Sequence, residues 1–191
     1  MRTVPQLLVF LGALSSALSC PLAGQRLPSR RGFWFGEGLG YGRGTASCDS
    51  QCSSFVTKGG FALSLKLGST LNEAVQLGTE FNLWARSGPT SMGNWSVAVY
   101  LYPAVTSGFF VKGGAGLGLY SENNGGVTSS GSGFGFLAGL GYDFRVSRSS
   151  AISVFGNYYH GSIGNITQSG TTVATGWKQH EFDFGIGSKF H

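Results

Sequence analysis

From residue 33 onward, apolar and polar side chains alternate with a period of two. Phe61, Leu63, Leu65 and Leu67 share one parity, while Ala62, Ser64, Lys66 and Gly68 share the other. Val75, Leu77, Phe81 and Leu83 oppose Gln76, Gly78, Glu80 and Asn82 in the same way. Trp95, Val97, Val99 and Leu101 oppose Ser96, Ala98 and Tyr100. Successive strand side chains point to opposite faces, so each run predicts a two-faced β-strand. Eight such strands are read, at 33–44, 57–69, 73–85, 93–102, 108–121, 133–145, 149–160 and 177–190. The run at 149–160 is apolar on both parities, so its facing stays open. So does that of the first run, where Glu37 shares parity with Phe35 and Leu39.

Ordinary globular strands run to about 5–6 residues. Each predicted run is longer, and about 9–11 residues suffice for a tilted strand to cross a bilayer. The connections alternate. Residues 45–56, 122–132 and 161–176 are long, 86–92 is medium, and 70–72, 103–107 and 146–148 are short. That alternation predicts an all-β, up-and-down transmembrane barrel with short turns at one end and loops at the other.

Composition decides which face is outside. Charged residues are 11% of the chain and glycine supplies 33 of 191 positions. Aromatics at 14% argue against disorder, and five prolines without a three-residue glycine period exclude collagen. So much glycine would weaken every helix of a bundle. The parity set holding glycine and isolated charges makes a poor water-facing exterior but suits a narrow lumen. The predicted lumen charges are Glu37, Glu80, Asp143, Glu181 and Asp183 against Lys66, Lys112, Arg145 and Lys189. Buried charges must be paired, so an internal salt-bridge network is expected. Trp84, Trp95 and Trp177 fall near one set of strand ends and Trp34 and Phe190 near the other, predicting two interfacial aromatic girdles.

The first residues read as an export signal. Met1-Arg2 precedes the apolar run Leu7–Leu18, which is too short for a spanning helix. Domain bounds are therefore expected at 1–24 (signal peptide), 25–32 (basic periplasmic lead-in, its charge solvated) and 33–191 (barrel). Cleavage before Cys20 or after Gly24, and lipidation of Cys20, remain alternatives. Export permits disulfides, and Cys48 and Cys52 are the expected pair.

The segments GFWFGEGLGYGRG (32–44), PAVTSGFFVKGGAGLGLY (103–120), GFGFLAGLGYDFRV (133–146) and HEFDFGIGSKF (180–190) resemble the small outer-membrane β-barrel family, eight-stranded barrels similar to the outer-membrane protein A transmembrane domain. The resemblance implies a bacterial outer-membrane location, with lipid and lipopolysaccharide as surroundings. It also implies recognition by the barrel-assembly machinery through Phe182, Phe184, Ile186 and Phe190, although His191 follows the final aromatic. The expected product is a monomer with a side-chain-filled lumen and a structural or envelope-surface interaction role. No cofactor, metal or nucleic acid is expected, since the glycine motifs lie within strands and the net charge of +5 forms no large basic cluster.

Two alternatives stand beside this reading. His160-Gly161-Ser162 resembles the His-x-Ser of lipid A 3-O-deacylases, which would make the protein an esterase with His160 as base and Ser162 as nucleophile. Alternation also fits a soluble periplasmic ligand-binding barrel with its apolar face inward.

Overall fold

The computed structural model describes residues 30–49, 58–86, 88 and 90–191. The strands are β1 (Phe33–Ser47), β2 (Lys58–Asn72), β3 (Val75–Ala85), β4 (Thr90–Leu101), β5 (Phe109–Asn124), β6 (Val127–Arg145), β7 (Ser150–Gln168) and β8 (Thr171–Phe190). Each pairs antiparallel with its sequence neighbours, and β8 returns to β1 from Phe35↔Phe190 to Ser47↔Lys178. The sheet is therefore a closed barrel, which leaves no edge strand. The expected signal peptide, most of the lead-in, and Cys52 lie outside the described residues.

The barrel has a terminal end, where Arg30 enters and His191 leaves, and a distal end capped by hairpins. Parity assigns the faces. Leu39, Phe61, Val97 and Phe184 point outward and are 67%, 72%, 60% and 62% exposed. Gln76, Glu80 and Ala98 point inward and are fully buried. In β7, Ala151, Ser153, Phe155, Asn157 and Tyr159 face the lumen, while Ile152 and Val154 face out. The register of β1 with β2 is unbroken from Phe33 to Gly44, so parity carries Glu37 outward with Phe35 and Leu39. Glu37 is thus corrected from lumen to outer face, where it accepts a hydrogen bond from Ser188 Oγ at 3.2 Å.

A monomer in water rarely exposes more than a few hundred Å² of contiguous apolar surface. Here every strand contributes to an apolar outer wall. Hydrocarbon removes that cost, and the closed ladder pairs the backbone groups that hydrocarbon cannot solvate.

The expected loops at 122–132 and 161–176 are mostly strand. β5 meets β6 across Gly125-Gly126, with φ of 61° and 88°, and β7 meets β8 across Ser169-Gly170, with φ of 48° and 81°. Consecutive positive φ values suit a two-residue hairpin turn, which glycine adopts without strain. These Ser-, Thr- and Gly-rich arms carry little hydrophobic alternation, because neither face is set against hydrocarbon. In the upper β7–β8 pairing the register shifts between Ser162 and Gly164 and again around Ile166. The shifts turn both Ile163 and Ile166 inward despite their opposite parity.

The outer wall makes a direct prediction. Val97→Arg should destabilise the barrel in lipid vesicles by about 2–4 kcal/mol, the cost of a cation near the bilayer midplane. Urea unfolding followed by tryptophan fluorescence measures it. A change within 0.5 kcal/mol would mean that Val97 does not meet lipid.

Candidate functional site: the filled lumen and the distal rim

Three tryptophans expected at the interfaces are inside the barrel. Trp34, Trp84 and Trp177 are 1%, 0% and 6% exposed. The reason is parity: Trp34 alternates with outward Phe33 and Phe35, and Trp84 follows Gln76, Glu80 and Asn82. Glycine makes room for the rings. A Cβ on Gly78 would lie 2.7 Å from the Trp34 ring, and one on Gly44 would lie 3.1 Å from that of Trp84. Trp95 and Phe190 do face outward, and the Trp95 indole N–H donates to Thr79 Oγ1 at 2.7 Å.

These rings organise two buried clusters. Trp34 joins Tyr100, Tyr102, Phe110, Leu137, Phe155 and Tyr159. Nearer the distal end, Trp84 joins Met92, Tyr120, Ile163, Ile166 and Trp177, with Cys48 packed against them. The rings of Tyr120 and Trp177 lie 4.5 Å apart.

Buried charges sit among the aromatics. Lys112 Nζ lies 2.5 Å from Glu80 Oε1, and both side chains are fully buried. Glu80 also accepts from the hydroxyls of Tyr100 at 2.5 Å and Tyr159 at 3.1 Å. A second group lies toward the terminal end. Lys189 Nζ donates to Gln76 Oε1 at 2.6 Å and reaches Asp143 Oδ2 at 3.5 Å, while Ser153 and Tyr102 hydroxyls donate to the same Asp143 carboxylate. Asp183 accepts from Asn157 Nδ2 at 2.9 Å, and Glu181 is buried beside it on the inner face of β8. Lys66 Nζ lies 4.1 Å from the centre of the Phe155 ring, a cation–π contact. Arg145 keeps the inward parity of Asp143 but stands at the mouth of the lumen. It is half-buried at the terminal rim, lining a depression with Arg148 and His191.

One lead-in residue corrects the expectation of solvated charge. Arg30 is 4% exposed and its guanidinium stacks 3.6 Å from the Tyr102 ring centre. It donates to the carbonyl oxygens of Glu73, Val105 and Ser107 and so ties two terminal-end connections together. These acceptors are backbone atoms 43, 75 and 77 residues away, and no side-chain pattern could announce them.

The expected catalytic pair lies on the distal outer face. His160 and Ser162 sit two positions apart on the outward side of β7. The His160 ring nitrogen Nδ1 meets His180 Nδ1 at 3.2 Å, and His180 Nδ1 meets Tyr158 Oη at 2.7 Å. The acids nearest on β8, Glu181 and Asp183, face the lumen. The histidine is thus oriented by a second histidine, and no carboxylate of β7 or β8 is placed to complete a triad.

The lumen pair makes a prediction. Lys112→Met strands the Glu80 carboxylate in a dry interior and should cost about 3–5 kcal/mol of unfolding stability. Adding Glu80→Gln to that variant should restore most of the loss in the same urea titration. An unchanged single variant would show that the pair carries no stability.

No protein-family model matches the chain, and no curated protein sequence matches it. Solved structures do. Neisserial surface protein A (NspA) is similar at 17% identity over 83% of this chain and 96% of its own, with a TM-score of 0.55. The outer membrane protein OprG from Pseudomonas aeruginosa is 12% identical over 87% and 100%, with a TM-score of 0.51. The outer membrane protein AlkL, solved in DMPC bilayers, is 9% identical over 91% and 96%, with a TM-score of 0.50. By its closed ring of eight antiparallel strands, the chain has the fold of the small outer-membrane β-barrels that its sequence resembles.

Proposed function

We propose that the protein is an integral bacterial outer-membrane barrel with a structural and envelope-surface interaction role. The observation that carries this reading is the apolar outer wall around a lumen packed with rings and charges. Eight strands enclose an interior that side chains just fill. The two aromatic clusters occupy it, so the lumen serves stability rather than passage of solutes. In this orientation the terminal end lies in the periplasm, with Arg30 holding its connections, and the β5–β6 and β7–β8 arms stand outside. Those polar arms are the contact surfaces, since projecting segments on a rigid scaffold carry recognition. The monomer inserts through the assembly machinery, which reads the outward aromatics of β8. A Cys48–Cys52 disulfide ties the β1–β2 connection.

Two experiments test this. In cells, the protein should stay with the outer-membrane fraction through carbonate extraction and need detergent for release. Recovery in detergent-free buffer would overturn the membrane reading. The folded, unreduced protein should leave Cys48 and Cys52 unlabelled by a thiol reagent, and peptide mapping after reduction should find both labelled. Labelling before reduction would remove the disulfide.

A further inference from the structure

The outer faces of β7, β8 and β1 carry a polar patch directly above the apolar wall. His160 pairs with His180 in the β7–β8 ladder, and Ser162 pairs with Lys178. On the other side of β8, Thr45 pairs with His180, Ser47 with Lys178, and Arg43 with Phe182. Directly opposed strand residues hold their Cβ atoms about 4.5–5.5 Å apart. Arg43, Ser162 and Lys178 are exposed, and His160 and His180 are half-buried. Rings flank and underlie them: Phe136, opposite His160 on β6, stands 4.9 Å from its ring, and Phe182, opposite Arg43, packs edge to face with Phe184 below it.

The charge of the patch is mostly positive. β7 contains no Asp or Glu, and the two acids of β8 face the lumen. Glu37 lies toward the opposite end of β1. Asp49, just beyond β1, is the one acid beside the patch: its backbone N–H bonds the Thr175 carbonyl oxygen, and its carboxylate lies against Gly176, two residues from Lys178 on β8. Neither Arg43 nor Lys178 makes an ion pair among the described residues.

We propose that this patch binds a phosphate group on the headgroup of an outer-leaflet glycolipid, with Arg43, Lys178 and the His160–His180 pair as donors and the rings below against the acyl chains. The inference rests on the outer-membrane reading and names the partner of its distal rim. The depth is right, because the donors stand where the apolar wall gives way to polar side chains. The histidine pair adds a condition. Two imidazole nitrogens in contact can hold one proton between them. A second proton sets two N–H donors face to face, and an anion oxygen between them relieves the repulsion. Phosphate binding therefore takes up a proton and strengthens at lower pH. Tyr158, Ser162, Lys178, Arg43 and Thr45 are the polar side chains facing the pair, and β6 offers it Phe136. A divalent metal could also bridge two imidazoles, but the flanking Arg43 and Lys178 outnumber the one neighbouring carboxylate, Asp49, and repel a cation.

The test uses the full mature protein, folded in phosphatidylcholine vesicles that carry either bisphosphorylated or dephosphorylated lipid A. Flotation first establishes insertion; failure to insert would sink the membrane reading itself. With insertion secured, retention of lipid A should favour the bisphosphorylated form by about tenfold or more at pH 6, and less at pH 8. The variant Arg43→Gln/Lys178→Gln should lose that preference, and His160→Gln/His180→Gln should lose its pH dependence, both while still inserting. Equal retention of the two lipids, or variants that behave as the parent, would overturn the proposal. So would tight zinc binding by the parent with no preference for phosphorylated lipid, which would assign the histidines to a metal. Competition by inorganic phosphate alone at micromolar concentration would place the affinity in the free anion and overturn the lipid assignment.

Discussion

A closed ladder pairs each strand with two neighbours, and it leaves each side chain two directions. That constraint governs everything else in this barrel. Outward positions meet a continuous surface and must match it, which selects leucine, valine and phenylalanine if the surface is hydrocarbon. Inward positions meet one another across a ring of eight strands, a space that side chains just fill. Large inward residues therefore need small ones beside them. Trp34 and Trp84 lie over glycine for this reason, and the high glycine content is a packing requirement more than a source of flexibility.

The same narrowness makes buried charge tolerable. A lone ion in a dry interior is costly, yet Glu80 collects Lys112 and the hydroxyls of Tyr100 and Tyr159. Asp143 collects Lys189, Ser153 and Tyr102. Tyrosine serves both environments, donating through its hydroxyl while its ring fills the lumen. Arg30 extends the principle to the terminal end, where a ring and three carbonyls stand in for water.

Period-two alternation made the strands, their order and the direction of most side chains legible, because parity is local and one-dimensional. Parity also outweighs the other local signals. Nearness to strand ends suggests an interfacial place for Trp34, Trp84 and Trp177, yet the alternation around Trp34 and Trp84 turns them inward. The charge of Glu37 suggests the lumen, yet its parity with Phe35 and Leu39 turns it outward. Other features leave no local trace. The β7–β8 arms pair through backbone atoms in sequence rich in Ser, Thr and Gly, and the register shifts near Gly164 depend on both strands at once. The contact of His160 with His180 spans 20 residues and follows from a register that alternation does not fix.

The division of labour between the two faces explains where function can reside. A lumen whose large side chains are interlocked resists change, since removing one partner strands another. The outer wall is equally constrained, because polar substitutions there meet hydrocarbon. What remains free to vary is the rim and the distal arms, where the ladder continues but neither face is committed to an apolar environment. Polar side chains can accumulate there without structural penalty. At the distal ends of β7, β8 and β1 they have done so with an excess of cations, beside aromatic rings. A surface with a cationic top and a greasy base matches a molecule that is anionic at its head and apolar below. That correspondence ties the barrel's architecture to the chemistry of the leaflet around it, and it requires no opening through the middle.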